Sequence, residues 1–220
     1  MFENEKIFIL GMARSGYQAA KFLCKRNCDI TVYDQKDESK LNIEQVKELR
    51  SLGVHLFLGE DETSCLDASF SYFIKSPGVF PSNSFVMKAM ELKIPVINEV
   101  EMAFLLLPKD VNIVAITGTN GKTTTTSLIY DIVKRAYSSR THLAGNIGYP
   151  LISIIDTIKE NDILIMEISC QQLASLDKFH PHIAVMTNLS PAHIDMFGSY
   201  EIYKDVKAKL FKEQTSDDIA

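Results

Sequence analysis

Three absences limit the classes to which this sequence can belong. Its net charge is −5, so it lacks the basic excess that nucleic-acid-binding proteins carry. No cationic start is followed by an apolar signal-like run, and the longest apolar runs are too short to span a bilayer. We therefore expect a cytoplasmic protein with no nucleic-acid partner and no membrane segment.

Cysteine is also scarce, and its positions do not form a metal motif. The four cysteines at positions 24, 28, 65 and 170 show no paired zinc spacing. Cys24 and Cys28 lie four residues apart on a predicted helix, which favours packing over metal or redox chemistry.

Short apolar runs alternate with amphipathic segments along the chain. With 46% hydrophobic residues, its 220 residues can bury a core in each of one or two domains. This rhythm predicts an α/β fold of parallel sheets covered by helices. A joint is predicted at Leu107-Pro108-Lys109-Asp110, since proline ends the preceding helical pattern and two charges follow. We predict one domain over residues 1–107 and a second over residues 108–220.

The most informative motif opens the second predicted domain. An apolar strand over residues 111–115 leads into Ile116-Thr117-Gly118-Thr119-Asn120-Gly121-Lys122-Thr123-Thr124, and a helix is predicted from Lys122. Backbone amides of a glycine turn and the positive end of a helix dipole suit a phosphate. Lys122 supplies a charge for the β- and γ-phosphates, and Thr123 a hydroxyl for magnesium. The alternative is a plain strand-to-helix turn with a surface lysine.

The spacing departs from the standard Walker pattern, which has a glycine where Ile116 stands. The shorter run G-T-N-G-K-T-T resembles the ATP loop of the Mur ligase family, which includes folylpolyglutamate synthase. The resemblance implies ATP and Mg²⁺ as cofactors. It also implies that the ATP-binding residues are Gly118, Thr119, Asn120, Gly121, Lys122, Thr123 and Thr124.

A second glycine turn, Gly11-Met12-Ala13-Arg14-Ser15-Gly16, follows the first predicted strand. A dinucleotide fingerprint has glycine where Ala13 stands, and the added methyl group argues against ordinary NAD binding. Asp34 ends the second predicted strand, where a Rossmann acid would meet a ribose hydroxyl. By itself the turn is compatible with a nucleotide site or with a plain strand-to-helix connection. The first domain is therefore predicted to be Rossmann-like.

Taken together with the ATP loop, this turn resembles the amino-terminal domain of the MurD-type Mur ligases. In those enzymes, this domain binds the UDP end of a UDP-muramoyl substrate. The turn at Ser76-Pro77-Gly78 is similar to the family's S-P-G turn, with a buried turn that contacts no ligand as the alternative. The resemblance implies a uridine and phosphate site formed by Arg14, Ser15, Asp34, Gln35, Lys36 and Ser76.

Two further blocks are similar to the family's central domain. Ala144-Gly145-Asn146-Ile147-Gly148 resembles a segment whose asparagine, here Asn146, reaches the substrate pyrophosphate. The block from Glu167 to Leu173 resembles E-x-S-S-x-Q-L, with Cys170 in place of a serine. The resemblance implies that Glu167 holds magnesium, and that Ser169 and Gln172 contact the acyl portion of the substrate.

The last matching blocks concern the metal site. Asn188-Leu189-Ser190-Pro191-Ala192-His193-Ile194-Asp195 resembles N-x-x-x-D-H-L-D, with Ala192 in place of the acid, and His193 matches the magnesium-site histidine. On the next predicted helix, Lys207 matches the lysine that becomes carbamylated, with Lys209 as the rival position and a solvated lysine as the alternative. A carbamate requires a neutral amine and yields an acid-like group that can bind magnesium. The implied catalytic residues are Lys122, His193 and Lys207, and the implied metal ligands are Thr123, Glu167, His193 and Lys207.

The resemblance covers nearly the whole chain. It implies an ATP-dependent ligase of peptidoglycan synthesis that adds D-glutamate to UDP-N-acetylmuramoyl-L-alanine through an acyl phosphate. Other Mur ligases and folylpolyglutamate synthase are alternatives, and the turn at Gly11 with Asp34 favours the MurD type over both. Because the chain ends soon after the helix of Lys207, we expect an incomplete central domain and no third domain, which holds the D-glutamate contacts. Either a shortened ligase or a non-catalytic fragment that binds a UDP-sugar and ATP is compatible with this.

Overall fold

A computed structural model describes residues 2–59 and 63–220. The chain divides into two compact units, Met1–Glu99 and Val100–Ala220, each built on a parallel β-sheet. The predicted α/β class is therefore confirmed. The sequence-based joint at residues 107 and 108 lies inside the second unit, because the short helix before Pro108 packs mostly with that unit.

The first unit contains a five-stranded sheet. Its strands are β1 (Lys6–Leu10), β2 (Asp29–Asp34), β3 (His55–Leu58), β4 (Tyr72–Lys75) and β5 (Val96–Ile97), and its helices are α1 (Arg14–Cys24), α2 (Ile43–Ser51) and α3 (Ser84–Glu91). The strands lie in the order β3-β2-β1-β4-β5 and pair in parallel. The strand order reverses between β1 and β4. In open parallel sheets such a reversal leaves a crevice beyond the carboxyl ends of the strands.

One face of this sheet is covered by α3, which the apolar pattern did not predict. The helix begins after Asn83, whose side chain accepts a hydrogen bond from the backbone of Phe85 at 3.0 Å. Phe85 packs against Tyr33, with ring centroids 4.1 Å apart, while Phe8 stacks on Phe73 at 5.3 Å. This aromatic core therefore extends to the carboxyl ends of β1 and β2.

The second unit contains a four-stranded sheet. Its strands are β6 (Asn112–Thr117), β7 (Thr141–Gly145), β8 (Ile163–Glu167) and β9 (Ile183–Met186), in the parallel order β7-β8-β6-β9. Its helices are α4 (Glu99–Phe104), which begins at the unit boundary, α5 (Lys122–Tyr137), α6 (Leu151–Ile154), α7 (Cys170–Leu173), α8 (Ile194–Phe197) and α9 (Tyr200–Ala208). None of the described helices is both long enough and apolar enough to cross a membrane.

Candidate functional site

The loop between β6 and α5 requires glycine at two positions. Gly118 has a φ of +148°, and a Cβ added there would lie 2.0 Å from the hydroxyl oxygen of Thr187. Gly121 has a φ of +78° and stands at the N-cap of α5, where it offers no capping side chain. Thr123 and Thr124 follow in the first helical turn. The backbone amides at the start of α5 thus have no side-chain cap, as a phosphate site requires.

The side chain of Lys122 lies back over this loop. Its amine donates to the carbonyl oxygens of Gly118 and Thr119, each at 2.9 Å. The loop is held from outside by Asn188, which follows β9. The Asn188 side chain accepts from the amide of Asn120 at 2.9 Å and donates to the Asn120 carbonyl at 2.8 Å. The sequence predicted no role for Asn188, although Asn188 is the first residue of the block that contains His193.

A buried carboxylate lies at the end of β8, beside the loop. Glu167 is 1% exposed, and its two oxygens accept from the Thr123 hydroxyl at 2.7 Å and from the Asn146 amide at 2.6 Å. Both donors are neutral, and no ion pair involves Glu167 within the described residues. Each carboxylate oxygen keeps a further lone pair, so this site can accept an added cation. Carboxylate and hydroxyl oxygens are ligands that Mg²⁺ accepts, and these residues therefore fit the implied metal.

Lys207, on α9, is buried against the carboxyl end of β6. The side chain is 1% exposed, and its amine donates to the Thr117 hydroxyl at 2.9 Å and to the Gly118 carbonyl at 2.7 Å. Burial lowers the pKa of this amine to about 8. One helical turn earlier, the hydroxyl of Tyr203 lies 3.0 Å from the Thr119 hydroxyl. The rival Lys209 instead donates to the Ala174 carbonyl at 2.7 Å.

Lys122, Tyr203 and Lys207 line a cavity of about 220 Å³. The lining residues are Gly118, Thr119, Lys122, Asn146, Ser169, Cys170, Gln171, His193, Tyr203 and Lys207. The three predicted catalytic residues, Lys122, His193 and Lys207, are therefore brought together. His193 lines the cavity from an exposed position with a φ of +52°. No group of three His, Cys, Asp or Glu side chains suited to a metal exists in the described part of the chain.

Ser169 and Gln172 have a structural use that the sequence did not indicate. They form a reciprocal capping box at the start of α7. The Ser169 hydroxyl accepts from the backbone amide of Gln172, and the side-chain oxygen of Gln172 accepts from the backbone amide of Ser169 at 3.0 Å. Ser169 lines the cavity, whereas Gln172 does not. Burial also raises the pKa of the neighbouring Cys170 thiol. The contacts of Ser169 and Gln172 with a substrate remain a prediction.

The first unit has its own cleft, of about 440 Å³, at the carboxyl ends of its strands. It is lined by Leu10, Gly11, Ala13, Tyr33, Asp34, Gln35, Lys36, Ser76, Val79, Asn83, Ser84 and Phe85. Four of the six predicted uridine-site residues are in this set. The other two, Arg14 and Ser15, begin α1 outside the lining.

Asp34 organises the wall of this cleft. One carboxylate oxygen accepts from the Met12 amide at 2.7 Å and the other from the Lys36 amide at 2.9 Å, which ties together the turns after β1 and β2. Gly11 has a φ of +95°, and a Cβ there would lie 2.5 Å from the Ser76 hydroxyl oxygen. Each carboxylate oxygen retains a further lone pair. Asp34 is thus a positioning residue that can still accept from a ligand.

Comparison with known proteins accounts for both units. Residues 5–98 match the profile described as Mur ligase MurD-like, N-terminal domain, and residues 116–220 match the Mur ligase middle domain. The chain belongs to the Mur ligase family. Within this family, its first unit carries the MurD-like domain and its second unit the middle domain, as the motifs implied.

Curated Mur ligases of streptococci align over almost the whole chain. The UDP-N-acetylmuramoylalanine–D-glutamate ligase of Streptococcus mutans is 43% identical over 219 residues, which are 99% of this chain and 47% of the relative. The enzyme of the same name from Streptococcus agalactiae is 42% identical, with the same coverage. The chain therefore spans about half the length of the curated relatives it matches.

Solved structures support the fold. The UDP-N-acetylmuramate:L-alanyl-γ-D-glutamyl-meso-diaminopimelate ligase of Neisseria meningitides has a TM-score of 0.59 at 15% identity, covering 97% of this chain and 69% of that one. The UDP-N-acetylmuramate–alanine ligase of Thermotoga maritima has a TM-score of 0.55 at 21% identity, covering 95% and 47%. At these identities the similarity establishes the fold alone.

Proposed function

We propose that this chain is the substrate- and ATP-binding part of a ligase that adds D-glutamate to UDP-N-acetylmuramoyl-L-alanine through an acyl phosphate. The observation that carries the proposal is the buried Glu167, held by Thr123 and Asn146 beside the phosphate loop. The names of the streptococcal relatives support the choice of substrates. The aspartate-linked turn of the first unit favours the MurD type over other Mur ligases and over a folylpolyglutamate synthase-like enzyme.

In this proposal, the second unit binds ATP. The amine of Lys122 exchanges the carbonyls of Gly118 and Thr119 for phosphate oxygens, and the first amides of α5 donate to the same group. Glu167 and Thr123 would hold the magnesium that accompanies the nucleotide, and that ion would supply positive charge beside the transferred phosphoryl group. Because these groups are already positioned and partly desolvated, their charges act strongly on the reacting phosphate.

The carboxylate substrate is proposed to bind through the cleft of the first unit, where Asp34, Gln35, Lys36 and Ser76 line the wall. Contacts with D-glutamate are assigned to the part of the relatives that this chain does not cover. Asn146 lines the cavity of the second unit and, in the resemblance, reaches the substrate pyrophosphate.

Lys207 is proposed as the carbamylated lysine. Its burial and lowered pKa favour the neutral amine that a carbamate requires, and it lines the same cavity as Lys122 and His193. Lys209 lies outside that lining, which favours Lys207 over its rival. In a polypeptide of the relatives' full length, Lys207→Ala should lose activity that short carboxylic acids partly restore. Lys209→Ala is the control, and rescue of that variant instead would reverse the assignment.

Calorimetric titration of the 220-residue chain tests the proposal directly. We expect UDP-N-acetylmuramoyl-L-alanine and ATP with Mg²⁺ each to bind, while NAD and folates do not. D-Glutamate-dependent ADP release is expected from a full-length polypeptide and not from these 220 residues alone. Binding of NAD to the first unit, or failure of ATP to bind, would contradict the proposal. If both ligands bind but a full-length polypeptide shows no ligase activity, the non-catalytic alternative is favoured.

A further inference from the structure

Gln171 is a half-buried side chain of the second unit that the preceding proposal does not use. It belongs to α7, and it lines the cavity bordered by Lys122, His193 and Lys207. Its side-chain oxygen accepts a hydrogen bond from the thiol of Cys170 at 3.2 Å. Its side-chain nitrogen has no acceptor among the described residues. Gln171 therefore has two N–H groups that a ligand could use.

The unpaired nitrogen of Gln171 is accessible. In the described part of the chain, two buried side-chain atoms lack a hydrogen-bond partner, and they are the hydroxyls of Thr126 and Thr141. The Gln171 nitrogen is not one of them, so it is not enclosed by protein. The thiol that binds the oxygen belongs to a residue that is 3% exposed. Because oxygen and nitrogen are on opposite branches of a planar carboxamide, the nitrogen points away from this buried thiol.

The cavity beside Gln171 is rich in donors. Its described lining contains the amines of Lys122 and Lys207 and no carboxylate. Donors of this kind suit a group with several acceptor oxygens. In the proposed function, the substrate carboxylate has to reach the phosphate that Lys122 binds, so it enters this cavity. An amide N–H can orient that carboxylate without adding a charge that would lower its reactivity as a nucleophile.

We propose that Gln171 is a specificity-determining residue whose amide donates to the substrate carboxylate, with Cys170 as the positioning residue that orients this amide. The inference rests on the proposed function, which brings the carboxylate into the cavity. The competing explanation is structural, in which the Gln171 side chain only satisfies the Cys170 thiol at the start of α7. A contact with the carboxylate affects one ligand, whereas a structural role affects every ligand of the chain.

The test measures binding of UDP-N-acetylmuramoyl-L-alanine, UDP and ATP with Mg²⁺ by calorimetry, on the wild-type chain and on Gln171→Leu. Loss of a hydrogen bond to a charged acceptor should weaken binding of the first ligand roughly 10- to 150-fold. The affinities for UDP and ATP should change by less than about twofold. Gln214→Leu is the matched control, since Gln214 is a half-buried glutamine of the same unit that donates to the Pro181 carbonyl at 3.1 Å and lies outside the cavity lining. It should leave all three affinities unchanged.

A pair of variants at Cys170 tests the orientation and does not depend on the folding of Gln171→Leu. Cys170→Ala removes the donor to the Gln171 oxygen, and it should weaken UDP-N-acetylmuramoyl-L-alanine binding roughly 2- to 10-fold. Cys170→Ser keeps a donor at this position, and it should restore the affinity to within about twofold of wild type. Equal losses in the two variants would overturn the positioning role, because the side-chain donor would then make no difference.

The remaining outcomes separate this inference from the proposed function. Unchanged affinity for UDP-N-acetylmuramoyl-L-alanine in Gln171→Leu would overturn the role of Gln171 and leave the proposed function intact. A loss confined to ATP would assign the amide to the nucleotide and contradict the contact with the carboxylate. Equal losses for all three ligands would show that Gln171 has only a structural role. Failure of the wild-type chain to bind UDP-N-acetylmuramoyl-L-alanine would overturn the proposed function as well.

Discussion

The two glycine turns of this molecule have the same local architecture and different chemistry. Each follows an interior strand of a parallel sheet and precedes a helix whose N-cap, Ala13 or Gly121, gives no side-chain hydrogen bond. In the first turn, a Cβ on Gly16 would lie 2.0 Å from the Gly11 carbonyl oxygen. In the second, Gly121 has open space around it, and only its φ of +78° requires glycine.

The charges around the two turns differ more than their backbones. The first turn is held by the carboxylate of Asp34 through backbone amides, and the cation within the turn is Arg14. The second contains Lys122 and lies beside the buried Glu167. Both turns lead from a strand to the start of a helix, and they differ in the charges beside their backbone amides: the carboxylate of Asp34 at the first, and Lys122 with the buried Glu167 at the second.

The largest expected effect is at Lys122. In a full-length polypeptide, Lys122→Ala should lower the rate of ATP-dependent ADP release on the order of 100- to 1,000-fold, because a positioned cation on the transferred phosphoryl group is lost. UDP binding to the first unit should be unchanged. Lys134→Ala is the control, since Lys134 lies on the same helix and donates to the Tyr130 hydroxyl at 3.0 Å. Equal rates for Lys122→Ala and Lys134→Ala would remove Lys122 from the phosphate site.

The next effect concerns the first turn. Asp34→Ala leaves the amides of Met12 and Lys36 without their acceptor, and it should weaken UDP-N-acetylmuramoyl-L-alanine binding roughly 5- to 150-fold. ATP affinity should remain nearly constant. The control is Asp37→Ala, because Asp37 is an acid of the same segment that lies outside the cleft lining. Equal losses of affinity for the two ligands, measured by calorimetry, would contradict the prediction that they bind at independent sites.

A smaller effect distinguishes the two reasons why these turns require glycine, which are a close backbone contact at Gly16 and a positive φ at Gly121. Gly16→Ala places a methyl group against backbone and should lower the unfolding free energy by about 1–3 kcal/mol. Gly121→Ala meets no atom within 4 Å and should cost about 1–2 kcal/mol through its left-handed backbone alone. Thermal unfolding followed by circular dichroism measures both. A greater loss in Gly121→Ala would indicate that the first turn can relax around the methyl group.

The smallest effect is a pH dependence at Lys75, the buried last residue of β4. Since its folded pKa of about 8 lies below the ordinary value of 10.5, the unfolded chain binds more protons between those values. The contribution of Lys75 to stability is therefore unfavourable below pH 8 and improves as the pH rises to 10.5. At pH 7, Lys75→Met should have a higher unfolding free energy than wild type. The net gain should be about 1 kcal/mol, because the loss of the hydrogen bond to the Val79 carbonyl offsets part of the relief from desolvation.

That difference should shrink as the pH approaches 10.5. The Lys88→Met variant, which removes a partly exposed lysine, should show no such trend. A constant difference between wild type and Lys75→Met across pH 7–10 would contradict a depressed pKa at Lys75.

Much of the fold and the order of the sites followed from local patterns. The alternation of apolar and amphipathic segments predicted parallel sheets covered by helices, and the strand predicted over residues 111–115 is observed at Asn112–Thr117. The edge strand Thr141–Gly145 and the helix Ser84–Glu91 were not predicted. The edge strand carries polar residues among few apolar ones, and the helix is short, so neither has a periodic signal strong enough to identify it.

The sequence by itself determined which short segments can form phosphate-binding turns, because glycine dihedrals, helix starts and strand ends depend on a few neighbouring residues. Only the tertiary structure decided which side chains meet. Thr123, Asn146 and Glu167 come from three segments, and Asn188 reaches the loop from a fourth. It also decided that Lys75 is buried. Burial and long-range hydrogen bonds depend on how whole elements pack, which no local window of sequence contains.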